Sequence, residues 1–241
     1  MIIRGISFKK GRKLRMNKKY RIKNMLIEII GGFWFFLALI GAIVLMVMNC
    51  TPIYRFVIDK YHLTTRTGLT ADQLMLNYKE IISYLQAPGS QYLKLSDFAM
   101  SENGMIHFAD VKVIFQALYV IVLLFIIALG VFLVIKHHDK DKALLSIFNK
   151  GANLVFVVFG LLLISMSISF SNTFTLFHKI FFRNDYWIFD YRTDPVILAL
   201  PEQLFLILSV LIIGLLFTAC IVIKVIHYKC KKGSSLCRSN L

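Results

Sequence analysis

Residues 113–135 read VIFQALYVIVLLFIIALGVFLVI, a run of 23 with no charged side chain. A helix of about 20 such residues spans the roughly 30 Å hydrocarbon core of a bilayer. The period-2 alternation of a barrel strand is missing, so a helix is the expected spanning form. Three more runs flank this one in the sequence. Leu26 to Met48 carries Glu28 as its only charge. Ala152 to Ser171 is uncharged but holds Ser165, Ser167, Ser169 and Ser171. Gln203 to Ile223 is again uncharged. Hydrophobic residues make up 58% of the 241, with a mean hydropathy of +0.70, where soluble domains run nearer 45–50% apolar. These patterns predict an all-α membrane protein with four transmembrane helices.

The charges between the runs predict its orientation. Residues 1–25 carry ten Lys/Arg and no acid, and residues 224–241 carry five and no acid. Residues 136–150 add four basic and two acidic side chains. The segments on the other side, 49–112 and 172–202, hold nine basic and ten acidic residues between them. Positive charge collects on the cytoplasmic face of membrane proteins, so both termini are expected inside. The expected layout is a basic cytoplasmic segment 1–25, spans 26–48, 113–135, 152–171 and 203–223, an extracellular cap 49–112, a cytoplasmic loop 136–151, an extracellular aromatic loop 172–202 and a basic cytoplasmic tail 224–241. The net charge of +15 thus reads as a topology signal and not as a nucleic-acid surface, and the basic tail suits anionic headgroups.

The first run is too long for a signal-peptide core and no small-residue cleavage site follows it, so it is expected to stay as an anchor. Met16 opens Met16-Asn17-Lys18-Lys19 and is an alternative start to Met1. Of the four cysteines, only Cys50 falls on the outer side, so no outer disulfide is expected within the chain. No ligand spacing suggests a metal, and no motif suggests a cofactor. Nearly charge-free spans argue against a pore or pump.

The outer segments hold the candidate chemistry. In residues 51–112, Thr70 reads as a helix cap, followed by Leu74, Tyr78, Ile81, Ile82 and Leu85 at helical spacing. Leu93 to Phe98 alternates and is expected to lie on the membrane surface. His107 and Asp110 stand three apart before the second span, one face of a helix if it already runs there. A carboxylate beside an imidazole raises its basicity, as a general base requires. His178 sits inside a second cluster, Phe174 to Phe189, with Arg183, Asn184, Asp185, Tyr186 and Trp187. An interfacial aromatic belt explains Tyr186 and Trp187; the many Phe around His178 suggest instead a pocket for a lipid-like ligand. The turn Asp190 to Pro195 and Leu200-Pro201-Glu202 lead into the fourth run.

The string Phe98-Ala99-Met100-Ser101-Glu102-Asn103-Gly104-Met105-Ile106-His107-Phe108-Ala109-Asp110-Val111-Lys112 resembles the signature of the lipoprotein intramolecular transacylase family. Asn184-Asp185-Tyr186-Trp187, with Asp194-Pro195-Val196-Ile197 and Leu200-Pro201-Glu202, resembles its second signature. The resemblance runs from the first span to the fourth. It implies a bacterial plasma-membrane enzyme with four spans, an extracellular cap and no cofactor. The implied substrate is a lipoprotein whose N-terminal Cys carries a diacylglyceryl group and a free amine. The implied reaction moves the sn-2 acyl chain to that amine, giving a lyso-form lipoprotein. The residues matching the family's two histidines are His107 and His178, at the outer face.

The reaction needs a base for the amine, support for an oxyanion and a proton for the departing alcohol. His107 and His178 fit these tasks, with Asp110 as candidate orienter of His107. Arg183, Asn184 and Tyr186 are candidate donors to the oxyanion. Trp187 and Asp97 are candidates for supporting or lining the site, Tyr54 and Tyr78 either line it or only hold the cap together, and His62 is a further histidine whose place stays open. Ser101, His107 and Asp110 also have the residue types of a nucleophilic triad, but no nucleophile elbow surrounds Ser101, so direct transfer is expected. The alternative is a non-enzymatic membrane adaptor or lipid-binding protein using the same aromatics for docking.

Overall fold

The computed structural model describes residues 3–89, 91–134 and 140–239. Its regular elements are all helices: α1 (Ile3–Met48), α2 (Thr51–Lys60), α3 (Leu63–Thr67), α4 (Ala71–Gln86), α5 (Glu102–Val134), α6 (Lys140–Ile168), α7 (Phe170–Phe181), α8 (Val196–Ala199) and α9 (Glu202–Ser239). Among the described residues, four stretches are long and apolar enough to cross a membrane: Ile22–Met48, Glu102–Val134, Lys142–Ile168 and Glu202–Lys232. The fold is therefore an all-α, four-span membrane architecture. Met1, the expected span end at Ile135, the polar residues 136–139 and the last two residues lie outside the described residues.

In the bundle α6 packs against both α1 and α9, and α1 also packs on α5. The α1–α6 contact is close because it uses glycine. A Cβ on Gly151 would stand 2.6 Å from the Gly32 carbonyl oxygen and 2.6 Å from the Phe35 ring. Only hydrogen fits there, as in small-residue packing between membrane helices. Just below this contact, Glu28 accepts from Ser146 Oγ at 2.8 Å and from Lys150 Nζ at 2.6 Å. The one charge in the first run is thus partnered by the neighbouring helix, as a carboxylate in an apolar setting must be. Lys224 of α9 donates to Asn153 Oδ1 of α6. The outer faces of the bundle are apolar, with Val120, Leu123 and Ile126 of α5 and Leu161 and Ile164 of α6 exposed. Such surfaces belong in lipid.

Helices α2 to α4 form a cap at the end of the bundle where α1 stops and α5 begins. Helix α4 starts with a reciprocal box: Gln73 N–H donates to Thr70 Oγ1 at 3.2 Å, and Thr70 N–H donates to Gln73 Oε1 at 3.0 Å. Its inner face buries Leu74, Asn77, Tyr78, Ile81, Ile82 and Leu85. The Tyr54 and Tyr78 rings stack at 4.3 Å between centroids. Tyr54 Oη donates to the Ala199 carbonyl at 2.9 Å, and Tyr78 Oη to the Met48 carbonyl at 3.0 Å. Burial pushes the Tyr78 phenol up to about 12 and Tyr54 higher still, so both remain donors. These two tyrosines fasten the cap to the ends of α1 and α8. Asp97 is also a cap residue, accepting from Gln73 Nε2 at 2.8 Å and Asn77 Nδ2 at 2.6 Å. The stretch expected on the membrane surface turns inward instead, because Leu93 and Phe98 fill the cap core.

The third span differs from its sequence reading at both ends. The helix already runs through residues 142–151, whose Leu144, Leu145, Ile147 and Phe148 continue its apolar stripe. It then stops at Ile168. Ser169 is extended (φ −159°, ψ 108°) and its Oγ accepts the Asn172 N–H at 3.3 Å, capping α7. Thr173 Oγ1 donates to the Ser169 carbonyl and lies 2.8 Å from Ser165 Oγ. Hydroxyls that compete for backbone groups favour this kind of break. The segment read as an aromatic loop accordingly begins with a 12-residue helix, α7, which presents His178.

Candidate active site

The site forms where the start of α5, the end of α7 and the segment 182–189 meet. Helix α5 begins one turn before His107, so His107 and Asp110 do lie on a running helix. Ser101 starts that helix: its Oγ accepts the Gly104 N–H at 3.0 Å. A buried acid then ties this turn to the chain before α8. Asp194 Oδ1 accepts the Ser101 N–H at 2.8 Å, and Thr193 Oγ1 donates to Asp194 Oδ2 at 2.8 Å. A Cβ on Gly104 would lie 2.3 Å from Asp194 Oδ1, so glycine is required for the carboxylate to reach the helix start.

His107 and His178 are each only 8% exposed. Their ring centroids are 5.9 Å apart, with 35° between the planes. Phe182 touches both, at 4.9 Å from His107 and 5.5 Å from His178. Phe189 closes over His107 at 5.5 Å; Phe174 and Trp187 flank His178 at 4.2 and 4.6 Å. The two imidazoles thus sit in one aromatic enclosure built from three separated segments.

The two histidines differ in their hydrogen bonding. His178 Nδ1 lies 2.8 Å from the Phe174 carbonyl. A carbonyl only accepts, so Nδ1 carries the proton and the neutral ring presents Nε2 as a lone pair. Burial lowers the His178 pKa, and the Phe174 carbonyl partly offsets this. His107 Nδ1 is buried with no hydrogen-bond partner among the described residues, and Trp187 Nε1 is in the same condition. Buried polar atoms without partners are rare in finished structures. Two of them in one aromatic enclosure mark a place where a polar ligand group belongs.

The supporting candidates separate. Asp110 receives the Asn184 amide, Nδ2 to Oδ2 at 3.0 Å, and so clasps α5 to the aromatic segment. Asp110, the candidate orienter, accepts no hydrogen bond from His107 among the described residues, and His107 Nδ1 has no partner. Asn184 Oδ1 accepts the Tyr186 N–H at 3.2 Å, which spends both ends of that side chain. Tyr186 and Trp187 are half-buried, and Arg183 is exposed. Ser101 Oγ caps the helix and makes no hydrogen bond to His107 among the described residues. Tyr54, Tyr78 and Asp97 belong to the cap, as described above. His62 is exposed, in a left-handed turn (φ 52°) between α2 and α3. Asp194 stands in the sequence as part of a turn and of the second signature string, with no role attached to it.

Fold and site together define a multi-pass membrane protein with a buried histidine pair enclosed by aromatics. The model of the family described as lipoprotein intramolecular transacylase Lit matches residues 29–205, and the chain belongs to that family. Among solved structures it is similar to the membrane-integral lipoprotein intramolecular transacylase Lit from Bacillus cereus, with 28% identity, a TM-score of 0.77, and 89% of this chain and 98% of that chain covered. Two further structures of the Bacillus cereus protein carry a histidine replaced, by arginine in one and by alanine in the other. They match at 26% identity, with TM-scores of 0.75 and 0.74, covering 94% and 91% of this chain and 99% of theirs. A search of curated proteins gave no match.

Proposed function

We propose that this protein moves the sn-2 acyl chain of a diacylglyceryl-modified lipoprotein onto the α-amino group of the same lipoprotein's N-terminal Cys. The observation that carries the reading is the pair of buried imidazoles, 5.9 Å apart inside an aromatic enclosure. Family membership supports the reaction class, and the solved relative with one histidine substituted points to the same residue type. His178 Nε2, left as the lone pair, takes a proton from the ammonium or from the attacking amine. The amine nitrogen bonds to the ester carbonyl carbon and the carbonyl oxygen becomes an oxyanion. Collapse breaks the bond to the sn-2 oxygen, which leaves with a proton returned through the histidine pair. One ester and one amine become one amide and one alcohol. Nucleophile and electrophile sit on one molecule, so the enclosure contributes mainly by folding the substrate onto itself and excluding water.

The charge distribution supports a bacterial plasma-membrane placement with both termini cytoplasmic and the site on the outer face, where lipoprotein N-termini emerge. Membrane lipids solvate the apolar helix faces. The test is expression in a bacterium lacking lipoprotein N-acylation, with mass spectrometry of the N-terminal lipopeptide. N-acylated lyso-lipopeptide is expected from the parent protein and absent after His107→Ala or His178→Ala. No such product from a well-expressed parent protein favours the adaptor reading.

A further inference from the structure

We propose that the Trp187 indole N–H is the donor that stabilises the oxyanion formed on the sn-2 carbonyl oxygen, an inference resting on the transacylase reading. Trp187 Nε1 is buried and without a partner among the described residues. Its ring lies 4.6 Å from the His178 imidazole, at 31° between planes. An indole N–H can only donate. A buried donor without an acceptor is costly, so the folded enclosure holds a donor without an oxygen partner on a ring packed against His178.

Of the other donors in the neighbourhood, three are committed or exposed. Asn184 Nδ2 is held by Asp110, and His178 Nδ1 by the Phe174 carbonyl. Arg183 is exposed, where water would screen any charge it offered. Trp187 combines a buried Nε1 with ring contact to His178. When the amine attacks, the carbonyl π pair moves onto oxygen and the indole N–H donates to it. When the C–O bond to glycerol breaks, that pair returns and the charge passes to the leaving oxygen, which is protonated. The indole keeps its proton throughout. Its contribution exists only while the oxyanion exists, so it acts on kcat.

The experiment compares the parent protein with Trp187→Phe, and with 3-benzothienylalanine placed at position 187, which keeps the bicyclic shape and lacks the N–H. Each is purified in detergent and assayed on a synthetic diacylglyceryl lipopeptide. Removal of one oxyanion donor is expected to lower kcat by about 10²–10³-fold, with KM within about twofold of the parent. A phosphonate replacing the sn-2 ester, tetrahedral and anionic, is expected to lose affinity by a similar factor in both variants, while the ester substrate does not. Unchanged kcat in the benzothienyl variant overturns the proposal, as does a rise in KM with kcat preserved. If the parent protein itself gives no N-acyl product, the transacylase reading fails first; if the parent is active and the variants keep its kcat, the donor role alone fails.

Discussion

His178 and Phe174 share one hydrogen bond, Nδ1 to the main-chain carbonyl at 2.8 Å, and that bond settles which ring nitrogen of neutral His178 carries the proton. Because α7 is a regular helix here, the carbonyl one turn back is held in place by the backbone itself. The tautomer therefore does not depend on a side-chain partner that could move. Substituting Phe174 should leave it intact, since the carbonyl belongs to the main chain.

A pH dependence follows. Burial lowers the His178 pKa from its ordinary value of 6.5, so Nε2 stays unprotonated further into acid than a free imidazole would. The acid limb of kcat is expected below 6.5, not above it. Stability has the same sign. A depressed folded-state pKa means the unfolded chain binds the proton first, so the contribution of His178 is complete above 6.5 and declines as pH falls through the folded value. Profiles of kcat and of detergent-solubilised melting temperature against pH check both. An acid limb centred above 6.5 would show that burial does not govern this residue.

The Asp110 to Asn184 clasp is expected to matter through position. Asn184→Ala frees the Asp110 carboxylate and lets segment 182–189, with its Phe182, Trp187 and Phe189 rings, move off the histidines. A fall of about 10-fold or more in kcat/KM fits a loss near 1.5 kcal/mol for a charge-assisted hydrogen bond. A double-mutant cycle with Asp110→Asn measures the coupling: strongly non-additive effects are expected, and additive ones would show that the two act separately.

Much of the architecture was readable from apolar run length, because bilayer thickness constrains helices so strongly. The histidine pair was readable through the motif around it. What could not be read was set by tertiary contact. Ser169 looks like any hydroxyl in a span until its Oγ accepts the Asn172 N–H and Thr173 Oγ1 donates to its carbonyl where α6 gives way to α7. Tyr54, Tyr78 and Asp97 looked like pocket residues because aromatic and acidic types suit either role; only the Ala199 and Met48 carbonyls and the Asn77 amide show that they fasten the cap. Asp194 is 93 residues from Ser101, whose N–H it accepts, and no local pattern predicts that pairing.

That long-range pairing gives a test at Gly104. A methyl group there meets Asp194 Oδ1 at 2.3 Å, well inside contact distance, and the carboxylate must withdraw from the Ser101 N–H. Gly104→Ala lies in a helix, where alanine alone would be favoured by about 1 kcal/mol. The expected result is therefore opposite to propensity: a lower melting temperature and reduced kcat, since α5 carries His107 one turn on. Gly104→Ala melting at or above the parent protein would show that Asp194 moves aside at no cost.

The cap fastening is tested at Tyr54. Tyr54→Phe keeps the stack on Tyr78 and removes only the hydroxyl that donates to the Ala199 carbonyl. Both partners are buried, so the carbonyl is left without that donor, at a cost of about 1–3 kcal/mol. The loss falls on the joint between cap and α8 and not on the ring enclosure. Tyr54→Phe is therefore expected to lower the melting temperature and raise proteolytic cleavage in the cap, while kcat at temperatures below the transition stays near the parent value. A large kcat loss in well-folded Tyr54→Phe protein would place Tyr54 in the chemistry instead of the fastening.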